Sequence, residues 1–169
     1  MNIRQANEQD YQEIYKVVKE SFETALHTDG NEQDLVINLK DSDVYIPELS
    51  LIAEVDNKIV GHIMLTETKV GDTTQLLLAP LAILPEYQNQ GIGSKLILEA
   101  HKIAQQLEYD FIILVGHDTY YPRFGYRPAS VYGILSPFEI ADEVFMAYPL
   151  HDANKKLNAT IEYVKEFGI

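Results

Sequence analysis

Cysteine is absent from all 169 residues, which excludes disulfides, thiolate nucleophiles and zinc–thiolate centres together. Long apolar runs are absent as well. No stretch approaches the roughly 20 apolar residues that span a bilayer, and Met1–Asp10 is polar, without the hydrophobic segment of a signal peptide. A cytoplasmic protein that engages no membrane is therefore expected. Basic residues are scarce, 13 Lys and Arg against 26 Asp and Glu, for a net charge of −13. Such a surface repels phosphate backbones and anionic lipid, so nucleic acid is not an expected partner. The same balance suits a cationic small substrate, and it serves solubility equally well. The five histidines are scattered, without the paired spacing of a metal site, and no metal is expected.

What remains is an ordinary globular composition, 46% apolar and 23% charged. The length predicts a single domain over residues 1–169 with a core that needs no covalent staples. Asn2–Ala6 reads as a short edge strand. Polar Asn7–Asp10 then precedes Tyr11, Ile14, Tyr15, Val18 and Phe22, whose spacing of three and four predicts an amphipathic helix. A polar interruption over His27–Asn31 leads to a second helix at Glu32–Leu39, and Lys40–Glu48, with Asp41, Asp43 and Pro47, reads as a loop. Asp41 and Asp43 there could collect a cation at a substrate mouth or simply be solvated.

Three strands follow, Leu49–Val55, Ile59–Lys69 and Gln75–Leu84, separated by two tight turns: an antiparallel meander. Pro80 cannot donate to a ladder, so a bulge or splay is expected in the third strand. From Gly91 the period changes. Leu96, Ala100, Ile103 and Leu107 share a face with Ile97 and Ala104 beside them, which is a helix. Phe111–Val115 is a buried strand, so residues 75–115 read as strand, loop, helix and strand, favouring a parallel pair with a right-handed crossover. Within the aromatic tail, core rather than substrate cage, Val144–Leu150 reads as one more strand. The fold class is α/β, a mixed central sheet with an antiparallel N-terminal meander and helices on its faces.

The chemistry concentrates in the loop after the third meander strand, Gln88-Asn89-Gln90-Gly91-Ile92-Gly93-Ser94. Two glycines let backbone approach a ligand, and the first amides of the following helix are unpaired and point outward. Together with the helix dipole they suit a phosphate or pyrophosphate, although the same glycines could merely make a tight turn. A dinucleotide fingerprint would need glycine where Leu96 stands, and a P-loop would need glycine where Ser94 precedes Lys95.

The string Gln-x-x-Gly-x-Gly after Leu81-Ala82-Ile83-Leu84-Pro85-Glu86-Tyr87 resembles the acetyl-CoA loop of the GNAT acetyltransferase superfamily. Tyr121-Pro122-Arg123-Phe124-Gly125-Tyr126 is similar to its Tyr-x-x-x-Gly-aromatic segment. With Pro137-Phe138-Glu139 and Phe145-Met146-Ala147 the string resembles a bacterial subgroup of N-acetyltransferases. The resemblance implies acetyl-CoA as cosubstrate, with the backbone of Leu81, Ala82 and Ile83 on the pantetheine, amides of Asn89, Gln90, Gly91, Ile92, Gly93 and Ser94 on the pyrophosphate, and Gln88 shaping the turn. It implies that Tyr121 is the general acid to the departing CoA thiolate, with Tyr120 as the neighbour to be distinguished from it.

For a base, Glu54, Glu67 and His117 beside Asp118 are candidates, as is ordered water. His62 reads as a strand residue and His101 as part of a solvated helix face. Arg123 could face a phosphate or a surface carboxylate. With no cysteine to carry an acyl group, an acceptor amine, on a small molecule or a peptide, would attack directly. A homodimer is the commonest assembly for such a chain. The competing reading is a catalytically silent acyl-CoA-binding sensor that keeps the loop alone.

Overall fold

A computed structural model describes residues 1–25 and 30–169. The part of the polar interruption at His27, Thr28 and Asp29 lies outside the described residues. Two compact units are built, each from two stretches of chain: Met1–Thr66 with Ala79–Ile103, and Glu67–Leu78 with Ala104–Ile169. Two strands run from one stretch into the next, β3 (Lys58–Val70) and β4 (Thr73–Ile83). Pairing is mixed, antiparallel through the N-terminal strands and parallel between β4 and β5 (Phe111–Val115), an α/β architecture with a mixed central sheet.

In the first unit β1 (Asn2–Gln5) pairs antiparallel with β2 (Tyr45–Val55), and β2 with β3. Asn7 begins a capping box: its side chain accepts from Gln9 N–H, and Asp10 accepts from Asn7 N–H at 2.7 Å. That box caps a 3-10 turn, Glu8–Asp10, which runs on into α1 (Tyr11–Glu23), and α1 buries Tyr11, Ile14, Val17, Val18 and Ser21. Arg4 joins the pieces, donating to Asp10 at 2.8 Å and to Glu54 at 2.9 Å. The guanidinium holds the Asp10 carboxyl below its ordinary range.

Helix α2 spans Glu32–Lys40. The expected loop over Lys40–Glu48 is shorter than the breakers suggested, because β2 already begins at Tyr45 and carries Pro47 within it. The ladder to β3 is irregular there, shifting register between Tyr45 and Ser50, which tolerates a residue without an N–H. Tyr45 is drawn in by a hydroxyl chain. Its OH lies 2.8 Å from that of Tyr11, which is 2.7 Å from Ser50 Oγ.

Helix α3 spans Ile92–Ala104 and buries Leu96, Ile97, Ala100 and Ala104; Leu107 falls beyond its end. Each fully buried Leu or Ile contributes about 1.5–3 kcal/mol. Expected as solvated, His101 is instead buried, four residues after Ile97 and three before Ala104 on the inward stripe.

In the second unit β4 pairs in parallel with β5 at Leu76↔Ile112 and Leu77↔Ile113. β5 then pairs antiparallel with β8 (Phe145–Pro149), which also takes β6 (Arg127–Pro128). Two short elements of the tail complete the pairing: β7 (Ile134–Leu135) lies parallel to β9 (Ala159–Glu162), and β9 pairs with the end of β3. Phe111, Ile113, Tyr132, Phe145 and Ile161 form its core, with Phe111 and Tyr132 rings 4.9 Å apart. Of the tail's aromatic residues Tyr126, Tyr132 and Phe145 are buried, Tyr163 and Phe167 pack half-buried against the core, and Phe138 is exposed.

Buried Gln75 aligns the crossover. Its Oε1 accepts from both Asp110 N–H and Phe111 N–H at 2.9 Å, and its amide donates to Asp110 Oδ2 at 3.2 Å. Replacing it with leucine would strand two backbone donors at the start of β5. Gln75→Leu is expected to destabilise the protein by about 2–4 kcal/mol, read from the urea midpoint at constant slope. An unchanged midpoint would show that the donors find other partners.

Candidate active site

Past Leu77 the strand β4 continues through Leu81, Ala82 and Ile83 to a short 3-10 turn, Pro85–Tyr87. Leu84 N–H donates to Val60 O at 2.9 Å, which fixes the strand end. Gln88 then folds back, its side-chain amide donating to the Ile83 carbonyl at 3.0 Å, while the Gln90 amide donates to Glu86 O at 3.2 Å. The bond ties the Gln88 side chain, to which the resemblance gives the shaping of this turn, back to the end of β4.

Asn89 and Gly91 turn the chain with φ of +62° and +85°. At Gly91 an added Cβ would meet no atom within 4 Å. The glycine is therefore required by conformation, not by crowding, and the space above it is open. Lys95 N–H makes the first helical bond, to Gly91 O at 3.1 Å. The amides of Ile92, Gly93 and Ser94 precede it at the helix start. Ile92 is buried and anchors the turn, whereas Gln88, Asn89, Gln90 and Gly91 are exposed.

Close packing behind the loop depends on Gly61 of β3. A Cβ there would come within 2.8 Å of Ile83 Cδ1 and 3.2 Å of Leu96 Cδ1. The result is a rigid strand end, an exposed turn and a row of helix-start amides. These can receive an anion of pyrophosphate size without any cationic side chain.

In the second unit β5 ends at Val115 and passes through Gly116 to His117 and Asp118, both exposed. The His117 carbonyl accepts from Tyr120 N–H at 3.2 Å and from Tyr121 N–H at 3.3 Å. That starts a 3-10 turn, Tyr121–Phe124, which closes on Gly125 at φ +99°. Thus the motif Tyr-x-x-x-Gly is one helical turn with a left-handed stop.

The ring of Tyr121 is held edge-on by Tyr120 at 5.1 Å and by Tyr126 at 5.7 Å. Burial, and secondarily Tyr120, pushes its phenol well above the ordinary 10. Among the described residues its hydroxyl makes no hydrogen bond. Tyr120 is differently placed, with the Arg123 guanidinium 4.6 Å over its ring and Phe124 at 5.2 Å. Arg123 therefore covers an aromatic ring, the role neither of the sequence alternatives named.

The other candidate bases have structural partners. Glu54 receives Arg4, and Glu67 accepts from the Tyr109 hydroxyl at 2.6 Å. His62 is fully buried in β3, its Nδ1 3.0 Å from the Leu51 carbonyl. A carbonyl only accepts, so Nδ1 carries the proton, and Nε2 is left buried without a partner. Burial holds both His62 and His101 down to about 4. No cluster of three or more His, Cys, Asp or Glu side chains placed for a metal occurs among the described residues. Nor is any helix among them long and apolar enough to cross a membrane.

The acetyltransferase (GNAT) domain family model matches residues 47–128, from β2 through the Gly-x-Gly loop to the Tyr-x-x-x-Gly turn. The N-acetyltransferase YjhQ of Escherichia coli (strain K12) is 36% identical over 119 residues, 68% of this chain and 66% of that protein. The chain belongs to the GNAT acetyltransferase family. This GNAT chain is also similar to the N-acetyltransferase YhbS of Escherichia coli (strain K12), 26% identical over 124 residues, 71% of this chain and 74% of that protein. In structure it shares the fold of YhbS, crystallised in complex with CoA: TM-score 0.89, 23% identity, 99% of this chain and 92% of that one. A GNAT family acetyltransferase from Brucella melitensis, crystallised in complex with acetyl-CoA, gives a TM-score of 0.83 at 26% identity, over 98% of this chain and 97% of that one.

Proposed function

We propose that residues 1–169 form one N-acetyltransferase domain that transfers the acetyl group of acetyl-CoA directly to a primary amine. The observation that carries the reading is the Gly91 turn, with φ +85° and open space where a Cβ would stand, leading into the first amides of α3. In this reading Asn89, Gln90, Gly91, Ile92, Gly93 and Ser94 bind the pyrophosphate through backbone amides, Gln88 holds the turn to β4, and the backbone of Leu81, Ala82 and Ile83 lines up the pantetheine. The crystal structures of relatives with CoA and with acetyl-CoA support the choice of cosubstrate.

The amine nitrogen attacks the thioester carbonyl, and the tetrahedral intermediate collapses with cleavage of the C–S bond. The Tyr121 hydroxyl gives its proton to the departing thiolate, the proton lost by the amine leaves to water or to His117, and a proton from water restores the phenol before the next cycle. Its raised proton affinity keeps Tyr121 a hydrogen-bond donor throughout the working pH range. A thiolate leaving into desolvated surroundings is itself more basic, which favours that transfer.

Thermal unfolding with and without acetyl-CoA tests the cosubstrate. Ligand at 100 times its dissociation constant is expected to add about 2.7 kcal/mol of stability and to raise the midpoint by several degrees. A panel of primary amines screened for CoA release then identifies the acceptor. No shift at millimolar acetyl-CoA would overturn the reading.

A further inference from the structure

We infer that Gly116 is a positioning residue for the reacting phenol: its missing side chain is the space that the Tyr121 ring occupies. The inference rests on the reading of Tyr121 as the acid. A Cβ on Gly116 would lie 2.4 Å from Tyr121 Cε2 and 2.8 Å from Cδ2, closer than a real Cβ approaches any atom. Gly116 does not adopt a left-handed φ. The demand for glycine therefore comes chiefly from the ring, with Leu114 Cδ1 a looser neighbour at 3.3 Å.

Neighbouring contacts explain why the ring has no easy retreat. Gly116 is held to the sheet margin by its N–H bond to Val144 O at 2.9 Å. On other sides the Tyr121 ring meets the Tyr120 and Tyr126 rings, and Tyr126 is itself fully buried and packed on Tyr148 at 5.5 Å. A methyl group at position 116 must therefore swing Tyr121 about its side-chain torsions and carry the hydroxyl away from its resting position. Displacement of a reacting group by about 1 Å costs on the order of 100-fold in rate.

Gly116→Ala tests this with two readouts. In protein labelled with ¹³C at tyrosine Cε, the Tyr121 cross-peak, identified by its loss in Tyr121→Phe, is expected to move in Gly116→Ala before any ligand is added. With the amine found by the screen, kcat is expected to fall at least tenfold while the acetyl-CoA KM stays within about twofold. In the double variant with Tyr121→Phe, the alanine should cost no further rate, because the phenol it displaces is already gone.

An unmoved cross-peak, or full additivity of the two rate losses, would overturn the inference. Loss of rate in Gly116→Ala with full rate in Tyr121→Phe would instead reject Tyr121 as the acid. Should Gly116→Ala fold poorly, the same substitution in a Tyr121→Ala background decides the matter. There the ring is absent, so the alanine is expected to leave the melting temperature unchanged, and a loss of stability equal to that in the parent would overturn the inference.

Discussion

Tyr121→Phe is expected to lower the rate of acetyl transfer by roughly 10²-fold or more, the usual contribution of a positioned proton donor, while CoA affinity stays within about twofold. The substitution deletes one oxygen and keeps the ring that packs between Tyr120 and Tyr126. That oxygen bonds to none of the described residues, so its loss leaves no orphaned partner and little effect on stability. CoA release under saturating acetyl-CoA gives the rate, and calorimetry with CoA gives the affinity.

The pH profile sharpens this. Because burial pushes the phenol well above 10, the parent should show no alkaline loss of rate from Tyr121 anywhere below about pH 10. An unchanged rate in Tyr121→Phe would remove the residue from the mechanism. If the parent binds acetyl-CoA and turns over with no amine, the loop serves a sensor instead.

Acid is expected to destabilise the protein through two histidines in its interior. Unfolded, each imidazole binds a proton at the ordinary 6.5; folded, His62 and His101 do so only at about 4. The folded state favours the neutral rings, so their contribution is intact above pH 6.5, falls as pH drops through that value, and levels off below 4. The difference amounts to about 3 kcal/mol for each ring, or about 6 kcal/mol for both, a large part of an ordinary domain's stability.

His62 shows why in atomic terms: a proton added at Nε2 would be buried with no acceptor, since Nδ1 already serves Leu51. Urea midpoints between pH 7 and pH 4 measure the slope, and His62→Leu should remove about half of it. A flat profile would mean that water reaches both rings.

Much of this was legible in the chain. Strand β5 was readable to the residue because Phe111–Val115 is a continuous apolar run between Asp110 and Gly116, and α3 because its apolar spacing is strong. Gln-x-x-Gly-x-Gly announced a turn, and the positive φ at Gly91 is what such a glycine permits. His101 was misread because polarity was weighed above its place on the Ile97–Ala104 stripe. β2 was started too late because Asp41, Asp43 and Pro47 outweighed Tyr45, whose anchor in Tyr11 is 34 residues away. Strands β6, β7 and β9, of two to four residues, are held by partners distant in the chain and carry no period of their own. Nor could the requirement for Gly116 be read locally. It arises from a ring that arrives five positions later through a turn.

The interleaving of the two units has a consequence for how the protein is made. On the ribosome, Met1–Thr66 emerges first but lacks Ala79–Ile103, which carries the end of β4 and most of α3. Its core is complete only after Glu67–Leu78 has also been extruded, and that segment in turn waits for chain as far as Ile169. Vectorial synthesis thus completes the first unit only with Ile103, and the second later still. The part of β4 that pairs with β5 stays open to wrong contacts until Phe111–Val115 has been made.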